Sequence, residues 1–264
     1  MPIPPETHLG QPPAGARAHP GYGQCHSPRG QPPRSRPVGW AAQAADSPAS
    51  GDRHPGFGSN TSLWLLRHAE VHGDWQGRAY GDLDVELSAE GLRDTEERAR
   101  AFGALPLERV VSSPLERALS LGRGVAERSG APLAVEDDLR ELDRGAWQGL
   151  RREEIEERHP EQIEAYYGDP WSYEGHGGES DARLCGRTWP VLEAAVQEGA
   201  GAPVLFATHY NVIRVLVARA LGIEPSRSFG LRLDPGRGVL LVDSPTGWVL
   251  ARSNVCGPDD GDAA

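Results

Sequence analysis

The sequence predicts an α/β fold, a three-layer α/β/α sandwich around a mostly parallel sheet. Two observations carry the prediction. Along residues 62–255, short apolar runs alternate with longer segments of helical periodicity, and such alternation buries a parallel sheet on both faces. Three of the runs also end abruptly on Arg or His. "LWLL" ends on Arg67 and His68, "RVVSS" leads into a helical turn holding Arg117, and "VLFAT" ends on His209. In parallel α/β sheets ligands bind beyond the carboxyl ends of the strands, so these ends are where chemistry is expected.

Taken in order, residues 1–59 are rich in Pro, Gly, Arg and Gln and poor in aliphatic side chains. Such a segment cannot bury enough surface to offset its ordering entropy, so it is predicted to be a disordered tail, and it lacks the apolar core of a secretory signal. The folded domain is expected over 60–256. "SLWLL" reads as its first strand and "SAEGLRDTEERARAFGAL" (88–105) as an amphipathic helix with Leu92, Ala99 and Phe102 at apolar positions. "ERVVSS" (108–113) reads as a second strand. In the following helix (113–130), Ser113 is the expected N-cap, Pro114 the first helical residue, Glu116 the partner in a capping box, and Gly130 the stop. "REEIEERHPEQIEAYY" (152–167) reads as two short helices broken at Pro160, and 179–199 as mostly helical despite Pro190. "APVLFATH" (202–209) is a third strand with a helix over 211–222. "SFGLRLD", "GVLLVDS" and "WVLARSN" are expected to finish as a meander of strands, and 257–264 as a disordered acidic tail.

Composition removes several classes of function. All 27 basic side chains are Arg. Without Lys there is no Schiff base to a cofactor and no phosphate loop ending in Lys. The net charge of -11 argues against nucleic-acid binding, which needs a basic face. Cys25, Cys185 and Cys256 are far apart and fit neither a disulfide framework nor a zinc site, so free thiols in a cytoplasmic protein are expected. No apolar run approaches the roughly 20 residues of a membrane helix. No metal-ligand spacing appears, and neither a metal nor another cofactor is expected.

If the three strand ends are parallel neighbours, two Arg and two His gather at one rim. Guanidinium groups without carboxylates repel each other, so the cluster expects an anion, and the planar fork of Arg suits phosphate. The distant acidic charge does not oppose this. Exposed charges beyond about 8 Å are screened at physiological salt, whereas an Arg at about 4 Å contributes roughly 4 kcal/mol at an effective dielectric near 20.

These blocks resemble the histidine phosphatase superfamily (phosphoglycerate mutase-like). The family's Arg-His-Gly-Glu is matched by "RHAE" (67–70), followed by "GRAYGDLDVELSAEG" (77–91), "SSPLERAL" (112–119), "LRELDRGAWQGL" (139–150), "GGES" (177–180) and "THYNVIRVL" (208–216). Six blocks occur in order over roughly 62–255. The pattern is departed from in two places: Ala69 stands where Gly is usual after the first His, and Tyr210 and Asn211 stand where Gly is usual after the second. Ala69 is tolerable unless its backbone needs positive φ, and Tyr210 is placed to narrow the pocket or stack on a substrate.

The resemblance implies a phosphoglycerate mutase-like fold and a role for each residue. His68 is the nucleophile that forms a phosphohistidine, and nearby Arg67 and Arg117 favour its neutral, attacking form. Arg67, Arg117 and His209 clamp the phosphoryl oxygens. Glu141 is the general acid, singled out from Asp137, Asp138 and Asp143 by its place before "GAWQG". Arg78 and Glu70 are second-rank candidates for substrate binding, Arg78 at the phosphate or organic part and Glu70 as an orienter of Arg67 or a loop cap. The Glu-rich, aromatic segment 151–180 is similar to the cap of the phosphatase branch. It favours metal-independent hydrolysis of a small phosphorylated metabolite, with α-ribazole phosphate or a sugar phosphate in view. A phosphoglycerate mutase-type phosphotransferase and a non-catalytic phosphate-binding relative are the alternatives. The expected partner is a small-molecule phosphate ester, with no nucleic acid and no membrane, and a homodimer is left open.

Overall fold

The computed structural model describes residues 61–199 and 201–260. The tail expected over 1–59 lies outside them, as do 261–264 of the acidic tail. Within 257–260 the chain makes a turn in which the Asp260 carboxylate accepts from the Cys256 N–H at 2.8 Å.

The described chain runs β1 (Ser62–Arg67), α1 (Ala89–Phe102), β2 (Arg109–Ser112), α2 (Glu116–Ser129), β3 (Leu133–Val135), α3 (Arg152–Arg158), α4 (Pro160–Gly168), α5 (Asp181–Glu198), β4 (Val204–Thr208), α6 (Tyr210–Leu221), β5 (Gly238–Ser244) and β6 (Gly247–Val255). One six-stranded sheet has the order β3-β2-β4-β1-β5-β6. The first four strands in that order are parallel, and β5 and β6 close the other edge as an antiparallel hairpin. The fold is therefore the mostly parallel α/β arrangement that the alternation predicts.

Strands β1, β2 and β4 are largely apolar because alternate side chains enter two separate cores. Leu63, Leu65, Val111, Val204 and Phe206 pack with Leu184, Leu192, Ile213 and Leu216 of α5 and α6. Trp64, Leu66, Val110, Leu205 and Ala207 face the other way, against Phe102 of α1 and Leu121 and Val125 of α2. Each large apolar side chain so buried contributes roughly 1.5–3 kcal/mol. Pro190 is carried inside α5 by buried Leu184, Thr188, Leu192 and Val196 on both sides of it.

Three local expectations are corrected, and one strand had no expectation. Leu92 is 58% exposed, because the buried stripe of α1 runs through Gly91, Thr95, Ala99 and Phe102 and Leu92 lies about 100° off it. The three-residue β3 has no signal long enough to read. "SFGLRLD" is no strand: Pro225–Gly230 form a 3-10 turn in which Glu224 and Ser228 side chains satisfy the backbone locally. The capping box at Ser113 does not form. α2 starts at Glu116, whose N–H is taken by Asp84 Oδ1 at 2.9 Å, while the Glu116 carboxylate binds Arg123. The Ser113 hydroxyl is used elsewhere. Gly130 does end the helix, with φ of 73°, which glycine adopts at no steric cost.

Candidate active site

Sheet register builds the site. Arg67 pairs with Thr208 and Ser112 with Ala207, so the next residues, His68, His209 and Ser113, emerge side by side at the carboxyl ends of β1, β4 and β2. Backbone bonds hold them there. His68 N–H donates to Thr208 O at 3.0 Å and Ser113 N–H to Ala207 O at 3.0 Å. The His68 and His209 rings lie 5.3 Å apart, centroid to centroid, and both residues are buried.

The hydrogen bonds of each imidazole assign its tautomer. His68 Nδ1 is 2.7 Å from the Ala69 carbonyl. A carbonyl can only accept, so Nδ1 carries the proton and Nε2 keeps the lone pair. Ala69 supplies that carbonyl without strain, because Asn254 is the one non-glycine residue with positive φ among the described residues. His209 Nε2 is 2.8 Å from Ser113 Oγ, which also accepts from the Leu115 N–H at 3.3 Å. We assign the serine proton to Nε2, which leaves the His209 proton on Nδ1, a buried atom with no partner among the described residues.

Two arginines face these rings. Arg117 donates to Leu83 O at 2.6 Å and Gly81 O at 2.8 Å, and its guanidinium lies over Tyr80, 5.1 Å from the ring centroid. Arg67 donates to Leu233 O at 2.6 Å and lies 5.3 Å from the Tyr210 centroid. Backbone carbonyls and rings thus fix both cations without neutralising them, and each keeps a buried, unpartnered Nε. Of the five donors on each guanidinium, several remain for an anion. Glu141 is buried at 6% exposure. Its Oε1 accepts from the Leu142 N–H at 2.8 Å and its Oε2 from the Asn211 N–H at 3.3 Å.

The second-rank candidates sit apart from this cluster. Arg78 donates to Asp74 O and Gly149 O and lies 3.6 Å from Glu154, bracing one loop against another. The exposed Glu70 accepts from the Ser88 hydroxyl at 3.0 Å, at the N-terminus of α1. Sequence reasoning missed Tyr80, Ser113 and Asn211 as members of the site. Tyr80 stands inside the quoted "GRAYGD" block, and Ser113 was hidden by its resemblance to a capping serine.

Burial first, then Arg117 and Arg67, holds His68 well below its ordinary pKa of 6.5. Burial, then Arg117 and His68, does the same to His209. Burial and Arg144 bring His176 down to about 4. The unfolded chain takes up protons at these positions near pH 6.5, and the folded chain does so only lower. The unfolded state therefore binds more protons below pH 6.5, and stability falls as the pH drops from there toward about 4. Thermal unfolding should show a lower Tm at about pH 5 than at about pH 7.5; a Tm at about pH 5 equal to or above that at about pH 7.5 would contradict buried neutral imidazoles.

A sequence model of the histidine phosphatase superfamily (branch 1) matches residues 63–255. Phosphoserine phosphatase 1 of Hydrogenobacter thermophilus is 32% identical over 170 residues, covering 64% of this chain and 81% of that protein. The metal-independent phosphoserine phosphatase of Arabidopsis thaliana is 31% identical over 163 residues, 60% of this chain and 68% of that protein. Among solved structures, mycobacterial glucosyl-3-phosphoglycerate phosphatase aligns with a TM-score of 0.65 and 27% identity, over 74% of this chain and 98% of that one. No helix among the described residues is long and apolar enough to cross a membrane. Because the family match runs from the second residue of β1 to the last of β6, taking in all three strand ends that meet at the paired imidazoles, the chain belongs to the histidine phosphatase superfamily, branch 1, and is a phosphoric monoester hydrolase.

Proposed function

We propose that the chain hydrolyses a small phosphorylated metabolite without a metal, through a phosphohistidine on His68. The observation that carries this reading is the state of His68: its Nδ1 proton is committed to Ala69 O, and burial with two flanking guanidiniums keeps the ring neutral. The Nε2 lone pair attacks phosphorus. The P–O ester bond breaks, and the leaving oxygen takes its proton from the Glu141 carboxyl. Water then attacks the phosphohistidine, gives a proton to Glu141, and the P–N bond breaks to release phosphate. Arg67, Arg117 and His209 Nδ1 donate to the phosphoryl oxygens, where charge shifts during transfer, and such fixed donors supply the largest share of the acceleration.

The test is a rapid alkaline quench of wild type turning over a phosphate ester in EDTA, followed by mapping of the phosphoryl adduct. The reading expects a base-stable adduct on His68; an adduct on another residue, or turnover that stops with EDTA, would sink it. Glu141 has its own signature. Glu141→Gln should lower kcat/KM by about 10²–10⁴-fold on an alkyl phosphate, where the alkoxide needs a proton. The loss on p-nitrophenyl phosphate should be much smaller, because that phenolate leaves unprotonated. Equal losses on both would remove Glu141 from the leaving-group side.

A further inference from the structure

Asn254, whose φ is 54°, carries a side chain on backbone that favours glycine. It lies in a bulge near the end of β6. Gly238 pairs with Val255 and Leu240 with Arg252, so two steps along β5 are answered by three along β6, and the extra residue falls at 253–254. Asparagine tolerates this conformation better than most residues, yet glycine would adopt it at no steric cost. Bulges re-aim side chains, and strained backbone persists where its surroundings over-determine it. Here they do. Val255 is 2% exposed, and the Cys256 carbonyl beyond it accepts from Arg98 of α1 at 2.6 Å.

The bulge aims an amide at the loop that supports the phosphate cup. Asn254 Oδ1 accepts from the Asp234 N–H at 2.8 Å, and Asn254 Nδ2 donates to the Asp234 carboxylate at 3.0 Å. Both ends of the amide therefore engage one residue of the loop 231–237. That loop makes three hydrogen bonds to Arg67 and His68. Leu233 O accepts from the Arg67 guanidinium at 2.6 Å, Arg237 O accepts from the Arg67 N–H at 2.9 Å, and the Gly236 N–H donates to His68 O at 3.0 Å. Leu233 and Asp234 are adjacent, so the carbonyl that holds the guanidinium is one residue away from the two bonds that fix the loop.

We propose that Asn254 is a positioning residue for Arg67: through Asp234 it fixes the Leu233 carbonyl, and so aims the guanidinium at the phosphoryl oxygens. The inference rests on the phosphatase reading, in which Arg67 grips those oxygens. It accounts for a side chain at a position whose backbone favours none. A displaced loop would leave Arg67 charged but misdirected, and donors fixed in direction, rather than charge alone, stabilise a transferring phosphoryl group. An Asn254 that only closes the β5–β6 hairpin would affect stability without any coupling to Arg67.

Asn254→Gly removes the amide and keeps the backbone conformation. Its effect is read as the dissociation constant of orthovanadate, which mimics the five-coordinate phosphorus of the transfer, titrated calorimetrically. That constant does not depend on the fraction of a preparation that is active. In an otherwise wild-type chain Asn254→Gly should weaken orthovanadate binding on the order of 10-fold, the scale of two neutral hydrogen bonds. On an Arg67→Met background, where the group being aimed is gone, the same substitution should change binding by less than about twofold. An unchanged constant in the single variant, or an equal loss on both backgrounds, overturns the proposal. Turnover of p-nitrophenyl phosphate by wild type reports the phosphatase reading by itself: turnover with equal losses removes the role of Asn254 and leaves the hydrolase, and no turnover removes both.

Discussion

His68→Ala is expected to lower kcat by about 10⁴–10⁶-fold, the scale seen when a nucleophile is deleted from a covalent mechanism. Deleting a single oxyanion donor costs less, about 10²–10³-fold, because the route survives with weaker stabilisation. The substitution should leave the fold in place. The two main-chain bonds of residue 68, to Thr208 O and from the Gly236 N–H, do not involve the imidazole. Removing that ring also spares the protein a buried polar group between two cations. Steady-state hydrolysis of p-nitrophenyl phosphate in EDTA, with a thermal melt on the same samples, measures both halves. A variant that melts like wild type and still turns over within tenfold of it would disprove attack by His68.

Asp181→Ala is expected to be the most destabilising of the substitutions considered. Arg214 and Asp181 are both fully buried and joined by two bonds of 2.7 and 2.6 Å. The guanidinium also donates to Ser228 and Asn211 and lies 4.2 Å from the Phe229 centroid. Taking away the carboxylate strands a charge in the core, which costs about 3–5 kcal/mol. For a domain of this size that is a fall in Tm of roughly 6–20 °C. Replacing both partners, as in Asp181→Leu with Arg214→Met, should recover most of the loss, because a buried pair contributes little against apolar side chains of similar volume. A Tm within about 2 °C of wild type for Asp181→Ala would show that solvent reaches Arg214. The pair also serves the site, since Arg214 holds the Asn211 side chain whose backbone N–H orients Glu141.

How much of this was legible in the sequence follows from which interactions are local. The strand ends at His68 and His209 were readable because apolar runs stop on charged groups in few other contexts, and their parallel register then brought the two rings together. Arg117 was placed in the first turn of its helix for the same reason. Ser113 was misread because a serine before a helix caps it in most chains, whereas here the Glu116 N–H is taken by Asp84, far away in sequence, and the Ser113 hydroxyl, besides accepting from the Leu115 N–H, reaches across the sheet to His209. Tyr80 and Asn211 act through contacts with residues distant along the chain, which no periodicity records. Arg214 could have been noticed: one Arg within "NVIRVLVA" sits where the flanking residues are all buried, and a charge there requires a counterpart.

The order of the strands bears on how the protein is made. β1 lies between β4 and β5, and its residues bond to 204–208 and 238–242. A nascent chain that has only reached α5 therefore holds "LWLL" with neither lateral neighbour, an exposed apolar strand that invites aggregation. Long-range parallel pairing is slow to form, so activity should return on refolding with the last phase rather than the first, and a truncation before Val204 should yield insoluble chain rather than a weak enzyme.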